Sequence, residues 1–283
     1  MLNLKRRLAL VAMLGTMIIS GNAMAHTTVL SKNTPTDYSS RDELEGTTGL
    51  NNFSIPHGCD GQPVRAMSIV FPNGADNIVE RSDTGESVSL TDHITGNPVM
   101  GASPAVNSIF KKINILTGTV PSFTSHGEEK AEDTRAFVYT GGTLKDGFTG
   151  LIPWRATFPT FKSDSCATAL TVYIAIANYC TKSTSEDKND RADIWIGRLT
   201  EKFDDEDVVS VGFWPYLKVV RDLESNPLPE DCGEGYEIGV YPSDEAIDEF
   251  LPIDGYWPAE GKKGNGGNNG DDGDHDDHGD HNH

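Results

Sequence analysis

The chain has 283 residues, with 43 acidic side chains against 23 basic ones and a formal net charge of −20 at pH 7. Nucleic acid and anionic lipid are held by clustered basic groups that displace counterions, so this balance excludes both as partners. The length allows one domain with extensions, or two, around a substantial core.

Residues 1–25 read as a secretory leader. Lys5, Arg6 and Arg7 form its positive end, Leu8 to Ile19 is apolar apart from Gly15 and Thr16, and Ala23-Met24-Ala25 is a small-x-small cleavage signal. The apolar run falls short of the ~20 residues that a spanning helix needs. The expected product is therefore exported, periplasmic or secreted, with no membrane insertion after cleavage. Cleavage would make His26 the first mature residue. An N-terminal histidine offers a metal its α-amine and its imidazole Nδ1 in one six-membered chelate ring, an arrangement that suits Cu(II) above the other divalent first-row ions.

Beyond His26 the chain reads as β-structure. Val64 to Phe71 alternates in part and is stopped by Pro72-Asn73-Gly74, and a polar, weakly periodic stretch from about Ala75 to Asp133 reads as long loops. Within it, Val106 to Leu116 carries the only amphipathic-helix spacing, although a strand pair fits equally. Arg135 to Thr140 ends at Gly141-Gly142, Ala169 to Tyr179 is rich in β-branched and aromatic residues, and Asp193 to Gly197 follows a polar turn. Short strands between Gly, Pro, Asn and Asp turns predict an all-β sandwich with long loops. We divide the chain into a leader (1–25), the sandwich (26–200), an acidic extension packed on it (201–260) and a disordered tail (261–283).

Cys59, Cys166, Cys180 and Cys232 all lie after the leader, and an even number in an exported chain predicts two disulfides among three possible connectivities. In the tail, His275, His278, His281 and His283 alternate with aspartates, a composition that cannot bury apolar surface but offers a secondary, weak metal tract. Trp154, Trp214 and Trp257 are assigned to the core, and His93 and His126 to solvated segments. No Gly-x-Ser-x-Gly, phosphate-binding glycine loop or His-Glu-x-x-His is present, so no catalytic residue is assigned.

Several blocks now carry a resemblance. His26-Thr27-Thr28-Val29, Ile55-Pro56-His57-Gly58-Cys59-Asp60-Gly61, the strand closed by Phe71-Pro72-Asn73-Gly74, and Tyr139-Thr140-Gly141-Gly142-Thr143-Leu144-Lys145-Asp146-Gly147-Phe148 occur in the order seen in YcnI-like periplasmic copper-binding proteins. Ala177-Asn178-Tyr179-Cys180 and Trp195 extend the likeness to about Gly197, and neither the region after Thr200 nor the tail is covered. The resemblance implies an immunoglobulin- or cupredoxin-like sandwich holding one Cu(II) through the N-terminal histidine, a carboxylate and a nearby tryptophan. By position these are His26 and Trp195, whereas the carboxylate position is occupied by Ser68. It also implies Cys59 with Cys180, since both lie in matched blocks, leaving Cys166 with Cys232. His57, in a turn before the Val64 strand, is the candidate replacement ligand, because imidazole binds Cu(II) better than a hydroxyl does.

Three function classes follow. The first is a non-enzymatic copper-binding protein for storage, delivery or homeostasis, working with a copper transporter or metallochaperone. The second is a copper-dependent oxygenase resembling lytic polysaccharide monooxygenases, which also begin with a mature histidine and would need His57 as the second one. The third is a metal-independent surface or adhesion module.

Overall fold

The computed structural model describes residues 27–30, 42–59, 61–95, 99–124, 127–181 and 191–257, with side chains outside 121–131. The leader, His26, His126 and the tail therefore lie outside the described residues. In chain order the strands are β1 (Thr28–Leu30), β2 (Asp42–Leu44), β3 (Thr48–Ile55), β4 (Ala66–Val70), β5 (Ile78–Arg81), β6 (Ile94–Thr95), β7 (Gly101–Pro104), β8 (Lys112–Thr124) and β9 (Gly127–Thr140). They continue with β10 (Gly150–Thr157), β11 (Thr160–Phe161), β12 (Ala167–Tyr173), β13 (Ala175–Tyr179), β14 (Ala192–Gly197), β15 (Val209–Val211), β16 (Tyr216–Val220) and β17 (Tyr236–Tyr241), before a short helix α1 (Asp244–Phe250).

The fold is an all-β sandwich. One sheet has the order β1-β3-β10-β7, a second β2-β16-β12-β17-β5, a third β15-β14-β13-β4-β9-β8, and β11 pairs with β6 apart from these. Strand β3 shows why the first sheet lies on a core: Asn51, Phe53 and Ile55 are buried while Asn52 and Ser54 are only half-buried, the period of two that points alternate side chains to opposite faces. The same core holds Ile152 and Trp154 of β10, Met67 and Ile69 of β4, Phe137 and Tyr139 of β9, and Leu170, Leu217 and Ile238 of the second sheet. Phe53 stacks on Trp154 at 4.9 Å between centroids, and Phe71 meets Phe137 edge-on at 4.9 Å. Burying each such ring stabilises by roughly 1.5–3 kcal/mol.

The third sheet is covered on its other face as well. Ala66, Val70, Ala175, Ala177, Tyr179, Ile194 and Ile196 pack against Phe203, Ile247, Leu251, Ile253 and Trp257. Burial on both faces is why β4 and β13 read as nearly unbroken apolar runs. Helix α1 starts where Ser243 accepts from the Ala246 N–H at 3.1 Å, with Asp244 and Glu245 in the first turn favouring the positive end of the helix dipole. Among the described residues no helix is long and apolar enough to cross a membrane.

Three expectations are corrected. The stretch 75–133 is not loop alone: it carries β5 to β8 and the start of β9, and β8 with β9 makes a long hairpin. Of the two readings of Val106 to Leu116 the helical one falls and the strand one stands, since β8 begins at Lys112 and pairs with β9. Residue 200 is not a boundary of the sandwich, because β16 and β17 both pair with β12 inside the second sheet.

Two disulfides close the fold, Cys59–Cys180 across 121 residues and Cys166–Cys232 across 66. Each is worth ~2–4 kcal/mol by restricting the unfolded chain. The first ties the loop after β3 to the end of β13; the second ties the approach to β12 to the approach to β17.

Candidate metal centre

Strand β1 pairs antiparallel with β3, Thr28 opposite Ser54 and Val29 opposite Phe53. Alternation turns Val29 and Thr27 inward, and both are fully buried. The Thr27 hydroxyl accepts a 2.8 Å hydrogen bond from Asn178 Nδ2 of β13 in the third sheet. The residue after His26 is therefore fixed between the two layers of the sandwich.

The register of β13 against β14 determines what surrounds that contact. Asn178 is opposite Asp193 and Ile176 is opposite Trp195. Directly paired residues carry their Cβ atoms ~4.5–5.5 Å apart, and residues two apart on one strand share a face. Asn178, Asp193 and Trp195 thus line one face, the one on which Ile176 and Trp195 join the main core. Asn178 is fully buried, and its Oδ1 finds no hydrogen-bond partner. An orphaned carbonyl oxygen there fits a donor brought by a further group, such as an amine N–H or a metal-bound water.

Ser68 belongs elsewhere. Its hydroxyl donates to the Leu251 carbonyl, beneath the segment that covers the opposite face of the third sheet. Even a carboxylate at position 68 would point away from Trp195. On the face of Trp195, the nearest carboxylate by register is Asp193, half-buried and directly opposite Asn178.

His57 sits half-buried in the loop after β3, two residues before the Cys59–Cys180 disulfide. Its Nδ1–H donates to the Gly58 carbonyl. A carbonyl only accepts, so Nδ1 is the donor in this bond and Nε2 is the ring nitrogen left for another partner.

The other histidine readings divide. His93 is buried rather than solvated, 2.9 Å from Ser165 Oγ and edge-on to Tyr236, and burial holds its pKa below the ordinary value. His126 and the tail histidines lie outside the described residues. Among the described residues no group of three or more His, Cys, Asp or Glu side chains is gathered to hold a metal, so a complete ligand set there would need His26. Trp154 and Trp257 are core residues, and Trp214 is half-buried, with Arg198 over its ring.

Asn178 and Asp193 were not singled out from the sequence. The signal was present: each is a polar residue inside an otherwise apolar strand. Their adjacency, however, depends on a strand pairing that composition does not reveal. No protein-family model matches the chain, and no curated protein matches it either.

Proposed function

We propose that the chain, cleaved after Ala25, is an exported copper-binding protein that holds Cu(II) through His26 for storage, delivery or homeostasis. The observation that supports this is the burial of Thr27 against Asn178, beside Asp193 and Trp195. His26 is the residue next to Thr27 in the chain, and we infer that its α-amine and imidazole are offered to this row. The donors are two nitrogens from His26 and a carboxylate oxygen from Asp193, a nitrogen and oxygen set that suits tetragonal Cu(II). His57 Nε2 is the further nitrogen available from the loop after β3. Trp195 supplies an apolar wall that limits access of water and reductant to the ion. The carboxylate also offsets the charge of the ion, and proton release from the amine makes binding pH-dependent. The role is holding rather than turnover, in the periplasm or outside the cell, with a copper transporter or metallochaperone as the exchange partner. The tail histidines His275, His278, His281 and His283 add a weaker tract on the same chain.

The test is Cu(II) titration of three proteins: the chain beginning at His26, the same chain with one residue added before His26, and His26→Ala. Only the first is expected to bind tightly, and tight binding retained in His26→Ala would overturn the proposal. A peroxide-driven oxidation assay on the loaded protein separates holding from oxygenase chemistry, because copper-dependent substrate oxidation would require the second class.

A further inference from the structure

The block Tyr139 to Phe148, which supplies no ligand in the copper reading, borders a cleft. The cleft has a volume of about 780 Å³ and is lined by Arg65, Ile109, Lys111, Gly141-Gly142-Thr143 and Tyr256. We propose that it is an oxyanion site, taking a phosphate or carboxylate group between the backbone of 141–143 and the side chains of Arg65 and Lys111.

Three observations carry this. First, among the described residues no acidic side chain lines the cleft, although the protein has 43 acidic residues to 23 basic ones. Among the described residues, the side chains of Arg65 and Lys111 make no ion pair or hydrogen bond, whereas Arg81, Arg135, Arg198 and Lys218 all pair with carboxylates. Two unpaired cations converging on one concavity attract an anion, against the general repulsion of the surface. Second, none of the hydrogen bonds among the described residues uses the N–H of Gly141, Gly142 or Thr143. Successive free N–H groups in a turn form the concavity that binds anions elsewhere. Third, the turn is built for glycine. Gly141 has φ +72°, and a Cβ at Gly142 would lie 1.8 Å from the Ile109 carbonyl oxygen. Only a bare backbone lets this turn lie against 109–110 at the edge of the cleft.

Arg65 recognises the planar edge of the oxyanion through its fork of donors, and Lys111 adds a point charge. Such an anion could be free in solution or could come from the chain itself. Tyr256 lines the cleft, and the aspartates Asp271, Asp272, Asp274, Asp276, Asp277 and Asp280 follow it in sequence. The site does not depend on copper.

The experiment titrates inorganic phosphate into the full isotopically labelled mature chain while following the amide signals of Gly141, Gly142 and Thr143. Saturable shifts confined to those amides are expected, weakened about tenfold or more in Arg65→Ala/Lys111→Ala, since contacts to a charged group are among the stronger hydrogen bonds. Both side chains are exposed, so the variant keeps its fold, and its remaining signals verify that. A parallel chain with the six tail aspartates replaced by asparagine separates the sources. If phosphate binds only to that chain, tail carboxylates hold the site in the native protein. Absence of saturable shifts in both chains, or identical shifts in the double variant, overturns the proposal.

Discussion

Replacing Thr27 by valine keeps the shape of the side chain and removes only the hydroxyl, which makes it a direct probe of how the chain start is held. The Thr27 Oγ1 is the acceptor for Asn178 Nδ2 at 2.8 Å, and both residues are fully buried. In the variant a buried amide loses its partner with no water to replace it, costing ~1–3 kcal/mol. For a chain of this size each kcal/mol lowers Tm by about 2–4 °C, so thermal unfolding of the metal-free protein should fall by about 2–12 °C. If this contact orders the backbone beside His26, its loss returns ~1–2 kcal/mol of conformational entropy to the free chain and weakens Cu(II) by about five- to thirty-fold. A double-mutant cycle with Asn178→Leu should give a coupling of ~0.5–3 kcal/mol, because removing both partners leaves no orphaned group. An unchanged Tm together with additive single variants would refute the anchoring role of this hydrogen bond.

Peptide mass mapping without reduction should return Cys59–Cys180 and Cys166–Cys232 as the only cross-links, and Cys59→Ser/Cys180→Ser should lower stability by ~2–5 kcal/mol in denaturant unfolding. Ser68→Glu should destabilise by several kcal/mol without improving copper affinity, since it places a charge under Leu251; a gain in affinity would return position 68 to the metal face. Desolvation lowers the pKa of His93, opposed by Asp92 and assisted by Arg81 and Lys162. The unfolded chain then binds the extra proton first, so this residue's contribution is complete above about pH 6.5 and is lost as pH falls from there towards its folded pKa. His93→Gln should flatten that part of the stability profile, and an unaltered acid limb would exclude His93 as its cause.

The strands with the clearest sequence signal are those whose burial is simplest. Arg135 to Thr140 and Asp193 to Gly197 lie within β9 and β14 as local patterning predicts. Val106 to Leu116 misleads because Val106, Ile109, Phe110 and Ile113 have helical spacing while no helix core awaits them. Val106 is 91% exposed, and Asn107 Oδ1 accepts from the N–H groups of Ile109 and Phe110, making a turn that releases the chain into β8. Pairing with β9, distant from local propensity, then decides the matter. The region after Thr200 reads as an appendage because it is acidic and lies beyond the resemblance, yet β16 and β17 flank β12 in the second sheet. At the candidate centre, His26 and Trp195 are visible as residue types. The face of Ser68 is not, because β4 is buried on both sides and its sequence carries no alternation to orient it.

The first disulfide explains how residues so far apart in sequence could act as one centre. Cys180 lies two residues beyond Asn178, and Cys59 lies two beyond His57. One covalent link therefore restrains both the strand that holds Thr27 and the loop that carries the additional imidazole. The Cys59 N–H also meets Cys180 Sγ at 3.1 Å, so the loop is held by its backbone as well as by the bridge. Ligands held before the ion arrives lose less freedom on binding than ligands that must be gathered. Opening this bridge should consequently weaken the proposed Cu(II) site even though it removes none of its ligands.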